Sequence, residues 1–176
     1  MIVSFALATL ISIGSFTAID NEPAKEINWL TLEEAEALSK KENKPLLIDF
    51  YTDWCGWCKK LDNTTYKDPE VIEYVNKYFY PVKFDAESKE SYSFNGQTYN
   101  FQPSGSRGTN EFAIQFASRE GRMGYPTTSF IFADGEKLAV IPGYQDAGKM
   151  SLLLRFLGEG HYTTMDFQEF AATANQ

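Results

Sequence analysis

The sequence LLIDFYTDWCGWCKK, residues 46–60, decides how the rest of the chain is interpreted. Its first six residues are apolar or aromatic except Asp49, which is typical of a short buried strand. The only two cysteines of the chain, Cys55 and Cys58, follow this strand directly, where a helix is predicted to begin. A Cys-x-x-Cys pair in that position indicates a redox site.

The beginning of a helix favours a cysteine thiolate for two reasons. The N–H groups of the first turn have no partners within the helix, and the helix dipole places partial positive charge there. A free thiol with a pKa of about 8.5 is only about 3% ionised at neutral pH, whereas a pKa near 7 gives roughly half. Cys58, one turn further along, is spaced to attack a mixed disulfide held at Cys55.

The composition indicates one folded domain. The 176 residues are 43% hydrophobic and include 14 Phe and 10 Tyr, which provides for a sizeable core and argues against disorder. The formal net charge of −8 is spread along the chain, and there is no long basic run. Nucleic acid is therefore not expected as a partner, because its binding requires a basic surface. We interpret residues 20–176 as a single domain.

Residues 2–19 contain no charged side chain, and the apolar part of this segment is roughly a dozen residues long. We interpret residues 1–19 as a secretory signal peptide, although no Lys or Arg precedes the apolar part. The alternatives are an uncleaved membrane anchor, since the segment could just span a bilayer, and a buried N-terminal helix. A signal peptide or an anchor places the domain outside the cytoplasm, periplasmic or secreted, where disulfides persist.

Apolar periodicity and capping signals predict alternating helices and strands along the rest of the chain. Asn95-Gly96 predicts a β-hairpin within residues 88–108, followed by a Gly/Ser-rich loop over residues 102–108. This order predicts an α/β fold, with a central mixed sheet and helices on both faces. The further helices are expected after Thr31, Asp68 and Asp146 and over about residues 109–119 and 165–172, and the further strands over residues 80–85, 127–132 and 137–141.

Two motifs carry a resemblance to the thioredoxin family. They are DFYTDWCGWCK, residues 49–59, and GYPT, residues 124–127, before a later strand. The chain most resembles secreted bacterial thioredoxin-like proteins and the soluble C-terminal domain of the membrane disulfide reductase. The resemblance covers about residues 29–157 and implies a thioredoxin fold. Residues 88–108 are an insertion relative to the family, and the segment after Gly158 also lies outside its pattern.

The resemblance implies that Cys55 is the attacking thiol, exposed at the helix start, and that Cys58 is the resolving thiol. It also implies that Asp49 is a buried carboxylate near the resolving sulfur. A buried carboxylate without a close cation has a raised pKa, so Asp49 could accept the proton of Cys58. Lys83 resembles the lysine that pairs with this carboxylate and limits the rise. The alternative for Asp49 is a water-exposed carboxylate at the strand end.

Pro126 resembles the cis-proline of the family, and the backbone of Tyr125 beside it would bind an extended substrate segment. The alternative for Pro126 is an ordinary trans turn. Trp54 and Trp57 could form an apolar rim that receives polypeptide, with the Gly56 backbone approached closely; packing of Trp54 against the domain is equally open. Trp57 departs from the family, in which proline or histidine is common at this position. An uncharged tryptophan favours a reductase weakly.

A zinc site and a purely stabilising disulfide fit the cysteine pair less well. A structural zinc site needs four ligands, and His161, the only histidine, lies far along the chain. A stabilising disulfide that closes so small a loop would restrain the unfolded chain little. A thioredoxin-like binding module with an idle or regulatory cysteine pair stays open, because fold similarity does not establish activity.

We therefore predict a thiol–disulfide oxidoreductase, working as a reductase of protein disulfides. The pair Cys55–Cys58 is itself the redox centre, so neither a bound cofactor nor a metal is expected. The expected partners are substrate proteins with disulfides and a thiol electron donor such as a membrane disulfide reductase. The alternative is a dithiol oxidase that uses the same residues in reverse, because two residues do not fix a redox potential.

Overall fold

A computed structural model describes residues 24–174 of the chain. The signal peptide or anchor predicted for residues 1–19 lies outside the described residues. Among the helices that are described, none combines the length and the apolar character needed to cross a bilayer.

The described chain alternates helices and strands in the predicted order, with two extra strands in the insertion. The helices are α1 (Leu32–Glu42), α2 (Gly56–Asn63), α3 (Pro69–Tyr78), α4 (Glu111–Phe116), α5 (Ala147–Gly158) and α6 (Phe167–Ala174). The strands are β1 (Leu46–Tyr51), β2 (Tyr80–Asp85), β3 (Tyr92–Phe94), β4 (Gln97–Tyr99), β5 (Phe101–Ser104), β6 (Arg107–Asn110), β7 (Thr127–Ile131) and β8 (Lys137–Pro142).

Side chains that cap the helices determine where they begin. Thr31 Oγ1 accepts the N–H of Glu34 at 3.2 Å, and Glu34 Oε2 accepts the N–H of Thr31 at 3.0 Å, which is the predicted capping box of α1. Asn110 caps α4 by accepting the N–H of Phe112 at 3.0 Å. Helix α4 therefore begins at Glu111 and not at residue 109, because Thr109 and Asn110 are paired in β6, and it ends at Phe116, before the predicted residue 119.

The main sheet has the strand order β2–β1–β7–β8. Strands β1 and β2 are parallel, whereas β7 is antiparallel to both β1 and β8. In β1, Leu46, Ile48 and Phe50 pack in the core that includes α1 and α4. Leu47 packs on the opposite face, in the core with α2, α3 and α5. Side chains of a strand alternate between faces, so Asp49 lies on the α2 side. The predicted mixed sheet with helices on both faces is confirmed.

The insertion differs from the prediction of one hairpin and a loop. It forms two hairpins, β3–β4 around Asn95-Gly96 and β5–β6 where the sequence predicts the Gly/Ser-rich loop. Gly105, at φ +59°, lies in the turn between β5 and β6, and Phe101 pairs with Asn110. Short polar strands have no alternation of apolar residues, and the sequence pattern therefore does not reveal them.

The first hairpin of the insertion belongs to the core of the fold. Phe94 and Tyr99 are both buried. Their ring centres lie 5.4 and 5.3 Å from that of Phe112 on α4, and Phe94 also lies 5.5 Å from Phe116. The insertion therefore completes the hydrophobic layer on the α1–α4 face of the sheet.

Candidate active site

The cysteine pair lies at the beginning of α2. Cys55 is the N-cap residue and forms a disulfide with Cys58, and their Cα atoms are 5.3 Å apart. Cys55 Sγ also accepts the N–H of Cys58 at 3.0 Å. This sulfur thus takes the place of the oxygen of an ordinary N-cap residue. In the reduced form, the same N–H and the helix dipole would stabilise a thiolate on Cys55.

The structure corrects the expectation that Cys55 is exposed, because only 4% of this residue is accessible to solvent. Its sulfur is bonded to Cys58 and accepts the Cys58 N–H, so it faces the first helical turn. The neighbouring Gly56 is exposed, and a Cβ placed there would meet no atom within 4 Å. A substrate backbone can therefore approach beside Cys55 at Gly56.

Asp49 lies in the middle of β1 and is buried, with 1% exposure, so the water-exposed alternative is wrong. Lys83 is opposite Asp49 in the β1–β2 register, and Lys83 Nζ lies 3.2 Å from Asp49 Oδ2. Within residues 24–174, neither oxygen of Asp49 accepts a hydrogen bond of ordinary geometry. Burial raises the pKa of Asp49 from 3.8 to about 6, and the positive charge of Lys83 limits this rise.

Lys83 is shared between two carboxylates. Its ammonium group also contacts Asp62 on α2, and it lies 5.2, 5.3 and 5.8 Å from the ring centres of Trp29, Tyr51 and Tyr66. Burial lowers the pKa of Lys83, but the two carboxylates outweigh burial and leave this pKa above its ordinary value. Lys83 therefore stays a cation at neutral pH.

Asp62 is a site residue that the sequence analysis missed. It follows Cys58 by four residues, one turn of α2, and this spacing places the two on the same helix face. This spacing in the sequence could therefore have identified Asp62 as a residue of the site. The negative charge of Asp62 opposes ionisation of Asp49 and contributes to its raised pKa. Asp62, Trp29 and Lys83 line a cleft of about 250 Å³, through which water can reach Lys83.

Two tryptophans stand at the surface beside the cysteine pair, with 53% of Trp54 and 57% of Trp57 exposed. The rings of Trp54 and Tyr125 form a T-shaped pair, with 6.2 Å between the ring centres and 78° between the planes. The Trp57 ring lies 5.5 Å from that of Tyr144. Trp54 is therefore not packed into the core, and Trp54 and Trp57 together form an exposed aromatic rim.

The Tyr125–Pro126 peptide bond is cis. Pro126 directly precedes β7, in which Thr127 pairs with Phe50 of β1. The antiparallel register therefore brings Pro126 to the end of β1 from which the chain enters the cysteine motif. The carbonyl group of Pro126 accepts the N–H of Gly143 at 2.7 Å.

The remaining candidate ligands lie apart from this site. His161 Nε2 is 3.1 Å from Glu159, and its ring is 4.6 Å from that of Phe170 on α6. No group of three or more His, Cys, Asp or Glu side chains in residues 24–174 is arranged to hold a metal ion.

Comparisons with known proteins place the chain in a family. A family model described as a thioredoxin-like domain matches residues 32–158. The disulfide bond reductase DsbH of Chlamydia pneumoniae is 27% identical over 126 residues, which is 71% of this chain and 68% of that protein. The thiol:disulfide interchange protein DsbD of Vibrio vulnificus is 38% identical over 47 residues, which is 27% of this chain but only 8% of that protein.

A thioredoxin-fold protein from Helicobacter pylori, at 17% identity, superposes with a TM-score of 0.55 over 74% of this chain and 79% of that chain. This likeness supports the fold alone. Because the family model spans most of the sequence, including β1, the cysteine pair and the closing strands, the chain belongs to the thioredoxin-like family.

Proposed function

We propose that this protein is a thiol–disulfide oxidoreductase that reduces disulfides in substrate proteins. The observation that carries the proposal is the position of Cys55 at the N-cap of α2, where its sulfur accepts the Cys58 N–H. The name of one relative, a disulfide bond reductase, supports the reducing direction.

The first step uses the dithiol form. The Cys55 thiolate attacks one sulfur of the substrate disulfide, a bond forms between Cys55 and the substrate, and the substrate S–S bond breaks. The released substrate sulfur leaves as a thiolate and takes a proton from solvent. The Cys58 N–H and the helix dipole favour this step because they stabilise the attacking thiolate.

The second step releases the substrate. Asp49, as a carboxylate, accepts the proton of the Cys58 thiol, and the Cys58 sulfur attacks Cys55 in the mixed disulfide. The Cys55–substrate bond breaks, the second substrate sulfur leaves and is protonated, and the Cys55–Cys58 disulfide forms. Two electrons have then passed from the cysteine pair to the substrate. The raised pKa of Asp49 suits a proton acceptor that works near neutral pH.

The surface around the pair would hold the substrate polypeptide. Trp54 and Trp57 offer exposed aromatic faces, and Gly56 leaves room for a substrate backbone. The backbone of Tyr125, beside Pro126, would pair with the extended substrate segment, as in the addition of a strand.

A thiol donor must restore the dithiol after each turnover. We propose a membrane disulfide reductase for this role, and the local similarity to a thiol:disulfide interchange protein supports it. The uncharged segment of residues 2–19 supports a periplasmic or secreted location, reached through a signal peptide or an anchor. The cysteine pair supplies the redox chemistry itself.

The direction of the reaction is tested by equilibrating the pair with glutathione. A reduction potential of Cys55–Cys58 well below that of glutathione is expected for a reductase. A potential well above that of glutathione would instead make the protein a dithiol oxidase.

The exchange reaction itself is tested with Cys58→Ser, which removes the resolving thiol. This variant should retain substrates as mixed disulfides with Cys55, and these should be released by a reducing agent. Recovery of the same partners by Cys55→Ser, without any thiol link, would instead support a binding module.

A further inference from the structure

Two positively charged side chains, those of Arg107 and Lys60, contact the aromatic rim. The guanidinium carbon of Arg107 lies 4.7 Å from the centre of the Trp54 ring. The ammonium group of Lys60 lies 4.8 Å from the Trp57 ring centre and 4.9 Å from that of Tyr144. We propose that Arg107 and Lys60 determine specificity by binding acidic side chains on either side of the reacting disulfide in a substrate polypeptide. This inference rests on the proposed function, because it names the substrate class of the same site.

The charges of both residues are available to a ligand. Arg107 and Lys60 are exposed, and neither forms an ion pair with another residue in the part of the chain that the structure describes. Asp53, the acidic neighbour of Trp54 in sequence, does not neutralise Arg107 through such a pair. The chain as a whole carries a formal charge of −8, so an acidic polypeptide is repelled by most of the surface. Two cations without ion-pair partners at the redox site would attract an acidic side chain that comes close to them.

Arg107 contacts Trp54 from the second hairpin of the insertion. Arg107 pairs with Ser104 across the β5–β6 turn. At the next residue, Gly108, an added Cβ would lie 2.2 Å from a ring atom of Phe101 on β5. The two strands are therefore in close contact directly beside Arg107. The insertion, which the family resemblance does not explain, thereby supplies a side chain to the redox site.

Lys60 contacts the other tryptophan of the rim, Trp57. It lies on α2, and its ammonium group contacts the rings of both Trp57 and Tyr144. The hydroxyl groups of Tyr144 and Thr64 are 3.2 Å apart, within hydrogen-bond distance, which fixes the Tyr144 ring over the helix. The cation therefore has a defined position next to Trp57.

A cation on an aromatic face still has N–H donors directed away from the ring. A guanidinium group can bind a carboxylate through two parallel hydrogen bonds, whereas an ammonium group acts as a point charge. A segment that crosses the cysteine pair would meet Arg107 beside Trp54 and Lys60 beside Trp57. The ligand is a polypeptide because the proposed function is the reduction of disulfides in proteins.

The test uses peptide disulfides that differ only in the residues beside the reacting cysteine, which are Asp, Asn or Lys. Single-turnover reduction by the full chain gives a second-order rate constant for each peptide, at low and at high salt. We expect the Asp peptide to react about fivefold faster than the Asn peptide at low salt, which is the size expected for exposed ion pairs. The Lys peptide should react more slowly than the Asn peptide, and high salt should reduce both differences.

Three variants identify the residues that cause the preference for the Asp peptide. Arg107→Gln and Lys60→Gln should each reduce the Asp-over-Asn preference about twofold, and the double variant should abolish it. Lys41→Gln removes an exposed charge from α1 and is the matched control, which should keep the wild-type preference. An equal preference in the wild type and the double variant, with all peptides reduced, would overturn the inference and leave the reductase proposal standing.

A binding measurement separates the two proposals if no peptide is reduced. A protein with Cys55→Ser and Cys58→Ser cannot react, and its affinity for labelled reduced Asp and Asn peptides is measured by fluorescence anisotropy. Tighter binding of the Asp peptide, lost when Arg107→Gln and Lys60→Gln are added, supports the inference independently of redox activity. Equal affinity for both peptides overturns it.

Discussion

Lys83 contacts two carboxylates that differ in burial, and this difference controls the protonation of the site. The side chain of Asp49 is 1% exposed and that of Asp62 is 39% exposed. Burial penalises the charged form of Asp49 most strongly, and Lys83 compensates for part of that penalty. Asp62 competes for the same ammonium group. The pKa of Asp49 therefore lies near 6, where a small change in its surroundings alters its charge.

We expect Asp49→Asn to stabilise the oxidised protein above about pH 6. The pKa of Asp49 is raised from 3.8 to about 6, so the stability that this group contributes is complete below pH 3.8 and is lost as the pH rises to about 6. A shift of this size corresponds to about 3 kcal/mol, and the loss of a partner for Lys83 should reduce the gain to about 1–2 kcal/mol.

Urea unfolding of the wild type and Asp49→Asn at about pH 4 and about pH 8 measures this difference. The same variant should resolve mixed disulfides at least about tenfold more slowly, because its proton acceptor is gone. An identical pH dependence of stability in the two proteins would contradict the assignment.

Removal of Asp62 should lower the pKa of Asp49. The charge of Asp62 raises this pKa directly, and Asp62→Asn also leaves Lys83 to Asp49 alone. Both changes favour the ionised form of Asp49. An NMR titration of the Asp49 carboxyl carbon in the oxidised protein measures the pKa, and Asp53→Asn serves as the exposed control. A pKa of Asp49 that stays the same or rises in Asp62→Asn would contradict this assignment.

At the level of elements, the sequence predicted β1 and α2 well because their signals are local. The apolar residues of β1 surround Asp49, and parallel pairing with β2 places Lys83 opposite it. The strands β5 and β6 could not be predicted in this way, because their polar residues show no alternation. Their pairing brings Gly108 into close contact with Phe101, which is a relation between two strands. The contact of Arg107 with Trp54 depends on that pairing, so the sequence pattern does not reveal it.

Gly108→Ala should therefore destabilise the protein by about 1–3 kcal/mol, as overpacking does in other tight contacts. The added Cβ would lie 2.2 Å from the Phe101 ring and 2.5 Å from the backbone oxygen of Gln102, and a backbone atom cannot move aside cheaply. Urea unfolding measures the cost. Gly148→Ala on α5 is the control, since its added Cβ would come no closer than 3.7 Å to a neighbouring atom, and it should be neutral or slightly stabilising. Equal stability of the two variants would contradict the close contact.

The whole molecule consists of two hydrophobic layers that share one sheet. β1 contributes alternate side chains to both layers, and this arrangement could be predicted from the order of strands and helices. The packing of the first hairpin could not be predicted in this way. The sequence indicates that Asn95-Gly96 forms a turn, but it does not indicate which residues the hairpin packs against. Its buried residues, Phe94 and Tyr99, complete the layer that contains α1 and α4. The insertion and the rest of the domain should therefore unfold together.

Phe94→Ala tests this cooperativity. Phe94 is buried against Phe112 and Phe116, so its truncation should cost about 3–5 kcal/mol and leave a single unfolding transition. Ile114→Ala is the control on α4, because its side chain is 43% exposed and should cost less than about 1 kcal/mol. Urea unfolding is followed by circular dichroism and by tryptophan fluorescence, and the two signals should coincide. A small cost, or two separate transitions, would show that the hairpin is peripheral. Because the Phe112 ring also lies 5.9 Å from that of Phe50 in β1, damage to the insertion should reach the strand that leads into the cysteine pair.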